Sequence, residues 1–153
     1  MGERVAGLAL YEIPYDRDPA AREAFERYKK DVAELLARDE REETVALFVK
    51  SVGVTDKQIQ AMQSLPLWKS LAAMAPTVQY DTVEIMERYP AIDARAIGTK
   101  TLVMYGAASP PFMAETAHDL VRAMPHATLL SLEGQTHDVE YAVLAPALAA
   151  FFE

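Results

Sequence analysis

The passage from Thr101 to Leu132 constrains the fold of this chain more than any other stretch. It begins with a short apolar segment ending in glycine, Thr101-Leu102-Val103-Met104-Tyr105-Gly106, and ends with a second one, Ala127 to Leu132. Segments this short and this apolar, bounded by glycine and proline, read as strands. Between them, from about Phe112 to Met124, Ala117, Leu120, Val121 and Met124 share one helical face, and Pro125 stops the helix. Strand–helix–strand alternation of this kind implies a parallel pair with a right-handed crossover, and hence an α/β fold.

The same reading extends to both ends of the chain. Val5 to Tyr11 is a third short apolar run, closed by Glu12 and Pro14, and apolar at so many positions that it is predicted as a buried parallel strand covered on both faces. After Leu132 comes a loop, Glu133-Gly134-Gln135-Thr136-His137-Asp138, then a last helix carrying Val143, Leu144, Leu148, Phe151 and Phe152. From Asp18 to Tyr89 the spacing is helical throughout. Asp18-Pro19 supplies an N-cap and a first-turn proline for a helix to about Ala37. A second helix runs from about Glu42 to Val52 and closes near Gly53; Thr55 with Gln58 forms a capping-box pattern that opens a third. Pro66 ends the third, Leu67 to Met74 forms a fourth, and Pro76-Thr77 leads into a fifth ending near Tyr89-Pro90. The expected organisation is a short parallel sheet of three strands with flanking helices, from residues 1–17 and 90–153, and a helical insertion at 18–89.

Composition narrows the possible functions. At 153 residues and 51% hydrophobic, the chain can build one core of ordinary size. With 23 acidic against 15 basic residues, a net charge of -8, it lacks the basic patch that nucleic acids or anionic membranes require. The absence of cysteine excludes disulfides, thiolate nucleophiles and Cys-based metal sites. No run approaches the roughly 20 apolar residues of a membrane helix, and no signal-peptide pattern is present, so a cytoplasmic location is expected. No phosphate loop or metal-ligand spacing stands out, and no cofactor is expected. The patch Asp39-Glu40-Arg41-Glu42-Glu43 reads as a solvated turn and helix start.

Pro125-His126-Ala127-Thr128, then Leu132-Glu133-Gly134-Gln135-Thr136-His137, then a helix ending in Phe151-Phe152 resemble the C-terminal end of an α/β-hydrolase. Together with Leu102 to Gly106 and the helix to Met124, they resemble that family's last two strands, histidine loop and final helix. Val5 to Tyr11 then resembles its sixth strand, and residues 18–89 its inserted helical cap. The resemblance implies a partial α/β-hydrolase fold, because the family's nucleophile lies on a glycine-x-serine-x-glycine elbow. Ser51, Ser64, Ser70, Ser109 and Ser131 all lack the two flanking glycines. The resemblance places that elbow, and the oxyanion-hole loop, upstream of Met1.

The resemblance also implies site residues. His137, on a loop directly after a strand, is the candidate general base; without the family context it reads as a loop histidine capping backbone groups. The usual acid follows the seventh strand, where this sequence has Ser109 instead. Some family members carry it at the end of the sixth strand, which assigns the role to Glu12, at the carboxyl edge where sites of parallel sheets lie. The competing reading of Glu12 is a strand-end residue facing solvent or capping a turn, and Asp16 and Asp138 are the alternative acids. His118 and His126 read as surface residues. Trp68, Tyr11 and Phe112 are candidate substrate contacts. In the family, residues such as Phe25, Tyr28, Phe48, Met62, Met74, Tyr80 and Met86 can line an apolar substrate pocket, but at helical spacing they are more often plain packing.

The implied function is hydrolysis of an ester- or amide-like bond in a small apolar substrate by a longer protein, with this chain supplying acid, base and cap. The alternative is a non-catalytic interaction module. In that case the unpaired edge of the first strand would be covered by a second copy, giving a homodimer.

Overall fold

A computed structural model describes residues 5–16, 18–82 and 94–153. In chain order the elements are β1 (Leu8–Tyr11), α1 (Pro19–Ala37), α2 (Arg41–Ser51), α3 (Asp56–Gln63), α4 (Leu67–Ala73) and α5 (Ala75–Asp81). A 3-10 turn at Ala94–Ala96 precedes β2 (Thr101–Gly106), α6 (Pro111–Ala123), β3 (Ala127–Leu132) and α7 (Tyr141–Phe152). The chain divides into two compact units, residues 1–17 with 89–153, and residues 18–88.

The first unit is built on a parallel sheet in the order β1-β2-β3. β2 lies in the middle, with Leu8 opposite Thr101 on one side and Ala127 opposite Thr101 on the other. Central strands lose solvent on both faces, which is why β2 is apolar at nearly every position and buried along most of its length. Alternate residues serve opposite faces. Ala9, Tyr11, Leu102, Met104 and Leu130 meet Leu144, Ala147, Leu148 and Phe151 of α7. The spacing of those four α7 residues is that of a single helical stripe. Tyr105, one step out of phase with Met104, meets His118 of α6 instead, with ring centroids 6.2 Å apart. α6 therefore covers the face that α7 does not.

β1 is shorter than the predicted Val5–Tyr11. Its pairing begins where β2 begins, with the Leu8 N–H donating to the Lys100 carbonyl at 2.9 Å. The three residues ahead of Leu8 have no length of β2 to pair with, and Val5 is 65% exposed. Apolar character alone does not set a strand's length; the reach of its neighbour does.

The second unit holds α1 to α5 around Val45, Val49, Ile59, Trp68 and Ala75, with Leu36, Ala46, Val54, Met62 and Leu71 packed against them. Its helix starts follow local chemistry. The Asp18 carboxylate accepts from the Ala20 N–H at 2.7 Å and the Ala21 N–H at 3.4 Å. Thr55 and Gln58 close a reciprocal capping box, the Thr55 N–H donating to Gln58 Oε1 at 2.9 Å and the Gln58 N–H to Thr55 Oγ1 at 3.4 Å. Between α1 and α2, Asp39 adopts a left-handed φ of 56° and pairs with Arg41, while Arg38 grips Glu40 with two nitrogens at 3.0 Å. These pairs are exposed and hold a turn. The predicted end of the fifth helix near Tyr89-Pro90, the boundary drawn at 89/90, and Met86 lie outside the described residues.

Removing the Thr55 hydroxyl deprives the first turn of α3 of its acceptor. Thr55→Ala is expected to lower stability by about 1 kcal/mol, read as a shift of the urea midpoint at unchanged slope.

Candidate active site

Because the three strands are parallel, their carboxyl ends open onto one edge of the sheet, and three chain segments meet there. Tyr11-Glu12 leaves β1, Gly106 to Ser109 leaves β2, and Gln135-Thr136-His137 follows β3.

Glu12 continues the ladder by one hydrogen bond, its N–H donating to the Met104 carbonyl at 3.0 Å. Its φ is then +48°, a left-handed conformation uncommon for a residue with a side chain. Glu12 is 2% exposed. A buried carboxylate needs hydrogen-bond donors, and two are present. The Gly106 N–H donates to Oε1 at 2.9 Å, and His137 Nδ1 lies 3.1 Å from Oε2. Glu12 thus neither faces solvent nor caps its own turn.

The partner is differently placed. The His137 side chain is 76% exposed, although its Nδ1 meets a carboxylate that is out of water. A carboxylate only accepts, so Nδ1 is the donor in this pair, and in the neutral ring Nε2 then keeps a free lone pair. A ring held in that tautomer, with Nε2 accessible, is able to take a proton from a hydroxyl and return it to a leaving group.

The loop that carries His137 is fixed by backbone contacts to the end of β2. Ala107 N–H donates to the Leu132 carbonyl and Ala108 N–H to the Gln135 carbonyl, each at 2.9 Å. The approach is so close that a Cβ on Gly106 would fall 2.3 Å from the Gln135 oxygen and 2.9 Å from the Thr136 nitrogen. Gln135 is buried as well, and its Oε1 accepts from the Glu140 N–H at 2.8 Å, tying the loop to the start of α7. The Tyr11 hydroxyl donates to the Thr136 carbonyl. Burial, and secondly the Glu12 charge, push the Tyr11 phenol above its usual pKa.

Of the residues singled out in the sequence, the structure brings Glu12, His137 and Tyr11 together. Tyr11, read as a substrate contact, has its hydroxyl engaged by the loop. Phe112 is half-buried in the first turn of α6, and Trp68 is 2% exposed in the core of the helical unit, which favours packing for its ring. Among the other residues of that unit, Phe25 and Tyr28 pair at 5.9 Å, Met62 joins the core, and Phe48, Met74 and Tyr80 are exposed. Asp16 is half-buried and Asp138 exposed, as are His118 and His126. The Ser109 N–H donates to the Gly106 carbonyl at 3.0 Å, and its hydroxyl is buried without a hydrogen-bond partner among the described residues. The roles of Gly106 and Gln135 were missed in the sequence. A glycine ending a central strand was the one available signal for Gly106. Among the described residues no group of three or more His, Asp or Glu side chains is placed to hold a metal ion, and no helix is long and apolar enough to cross a membrane.

No protein-family model and no curated protein matches this chain. Solved structures do. An α/β hydrolase from Sphaerobacter thermophilus matches over 97% of this chain and 59% of its own length, at 33% identity and a TM-score of 0.72. MenH from S. aureus matches over the same shares at 16% identity and a TM-score of 0.59. This chain therefore spans 59% of the length of each.

The steric limit at Gly106 gives a direct test of how the loop is seated. Gly106→Ala must displace the Gln135 carbonyl, and is expected to cost about 2–3 kcal/mol in urea unfolding.

Proposed function

This chain carries part of the α/β-hydrolase fold, and we propose that it supplies the acid and the general base of a serine-type hydrolase. The observation that carries the proposal is the Glu12–His137 pair, a buried carboxylate on Nδ1 of an exposed imidazole at the carboxyl edge of a parallel sheet. In that role Nε2 of His137 removes the proton from a nucleophilic hydroxyl and, as Nε2–H, protonates the leaving group. Glu12 fixes the tautomer and stabilises the imidazolium formed between the two steps. The nucleophile and the oxyanion donors come from residues outside these 153, since none of the serines present sits on an elbow sequence. The substrate class proposed is a small apolar ester or amide, the helical unit acting as cap, and the location proposed is the cytoplasm.

The test is turnover of p-nitrophenyl esters by the intact protein from its source cells. Glu12→Gln and His137→Ala should each lower kcat by about 10⁴-fold with the thermal transition retained. Full activity in Glu12→Gln would move the acid elsewhere, with Asp16 next to examine. The 153-residue chain by itself should give no turnover above the uncatalysed rate, and clear turnover would overturn the assignment of the nucleophile to other residues.

A second reading is favoured by one observation: β1 hydrogen-bonds to β2 on one side, and no strand among the described residues pairs with its other edge. An unpaired edge is a template for another strand. On this reading two copies join edge to edge into one sheet. Size exclusion with light scattering should then report twice the chain mass, and a well-folded monomer would refute the dimer.

A further inference from the structure

We propose that Tyr11 is a positioning residue for His137, an inference that rests on the acid–base reading of the Glu12–His137 pair. An imidazole that is 76% exposed has little around it to pack against, so its placement depends on how its backbone is held. The nearest anchor is the Thr136 carbonyl, which accepts from the Tyr11 hydroxyl. That carbonyl and the His137 N–H belong to one planar peptide group. Holding its oxygen fixes the plane from which the His137 Cα and ring project.

The grip is double. Two consecutive residues of β1's end, Tyr11 and Glu12, hold two consecutive residues of the loop, Thr136 through its carbonyl and His137 through Nδ1. In a regular strand neighbouring side chains point to opposite faces, and only one of the two would reach the loop. The left-handed φ of Glu12 breaks that alternation, so that both do. Tyr11 also has its ring packed with Leu102, Met104 and Phe151, which holds the hydroxyl on a rigid stem. With the peptide fixed, Nδ1 faces Oε2 and the ring has one hydrogen-bonded tautomer; with the peptide free to swing, the exposed ring exchanges Glu12 for water.

The experiment is long-range ¹H–¹⁵N correlation of the His137 ring in the labelled protein, at a pH where the imidazole is neutral, with the ring Cδ2 shift as a second reporter of tautomer. The native protein should show the Nδ1–H form. Tyr11→Phe keeps the packed ring and loses only the hydroxyl; it should retain its cooperative thermal transition while the Nδ1–H form gives way to a mixture dominated by Nε2–H. A native ring pattern in Tyr11→Phe, alongside loss of that pattern in Glu12→Gln, would overturn the positioning role and leave the acid–base pair standing. A native pattern in Glu12→Gln would instead remove the pair on which the inference rests. Loss of the thermal transition in Tyr11→Phe would also overturn it, showing that the hydroxyl holds the fold rather than the ring.

Discussion

Burying the Glu12 carboxylate is the constraint on which the rest of this sheet edge depends. An ionisable group taken to 2% exposure is tolerated only where donors replace the water it loses. One donor is the backbone N–H at the end of the central strand, the other is the imidazole. Each imposes a further condition. The Gly106 N–H reaches Oε1 beside the His137 loop, and that loop passes so close that position 106 has no room for a side chain. The imidazole must be delivered to Oε2 by a loop held to β2 through Ala107 and Ala108 and to α7 through Gln135. One carboxylate thereby couples the ends of all three strands.

That coupling explains which parts of the molecule could be read in the sequence. β2 and β3 were legible to the residue, because each is a short apolar run with glycine or proline near its ends, although only the central β2 is buried along most of its length and β3 is half-buried. The starts of α1 and α3 were legible for a similar reason, since Asp18 and Thr55 act on N–H groups two or three residues away. β1 was legible in kind but not in length, because its extent is set by a neighbour some 90 positions distant in the chain. The site was half legible: a histidine after one strand and a carboxylate after another were visible as residue types. That they meet, 125 positions apart, and that the Gly106 N–H completes the carboxylate's partners from 94 positions away, are facts of topology. Tyr11 shows the limit most clearly. Nothing local distinguishes a tyrosine that touches a ligand from one whose hydroxyl holds a loop.

The pair is also asymmetric in a way that suits proton transfer. If both partners were exposed, water would screen their interaction and compete for Nδ1. If both were buried, the imidazolium would be penalised at the moment it forms. Here the carboxylate is taken out of water and the ring is left in it. The buried partner is fixed by a backbone donor at the end of the central strand, and the exposed partner leaves most of its ring open to solvent.

The place of Glu12 in the sheet also matches the length of its side chain. Neighbouring strands lie about 4.8 Å apart, so an acid at the end of β2 stands one spacing from the loop that follows β3, and an acid at the end of β1 stands two. The turn after β2 carries Ser109, whose backbone is committed to the Gly106 carbonyl and whose hydroxyl forms no bond to the imidazole. The carboxylate that meets the imidazole comes instead from the farther strand. An aspartate there would be short by one methylene; a glutamate has the extra length, and the left-handed turn at Glu12 aims it across the end of β2 rather than along its own strand. The N–H it meets on the way is that of Gly106, the residue whose missing side chain leaves the path open. The longer acid, the unusual φ and the glycine are three consequences of placing one charge two strands from its imidazole.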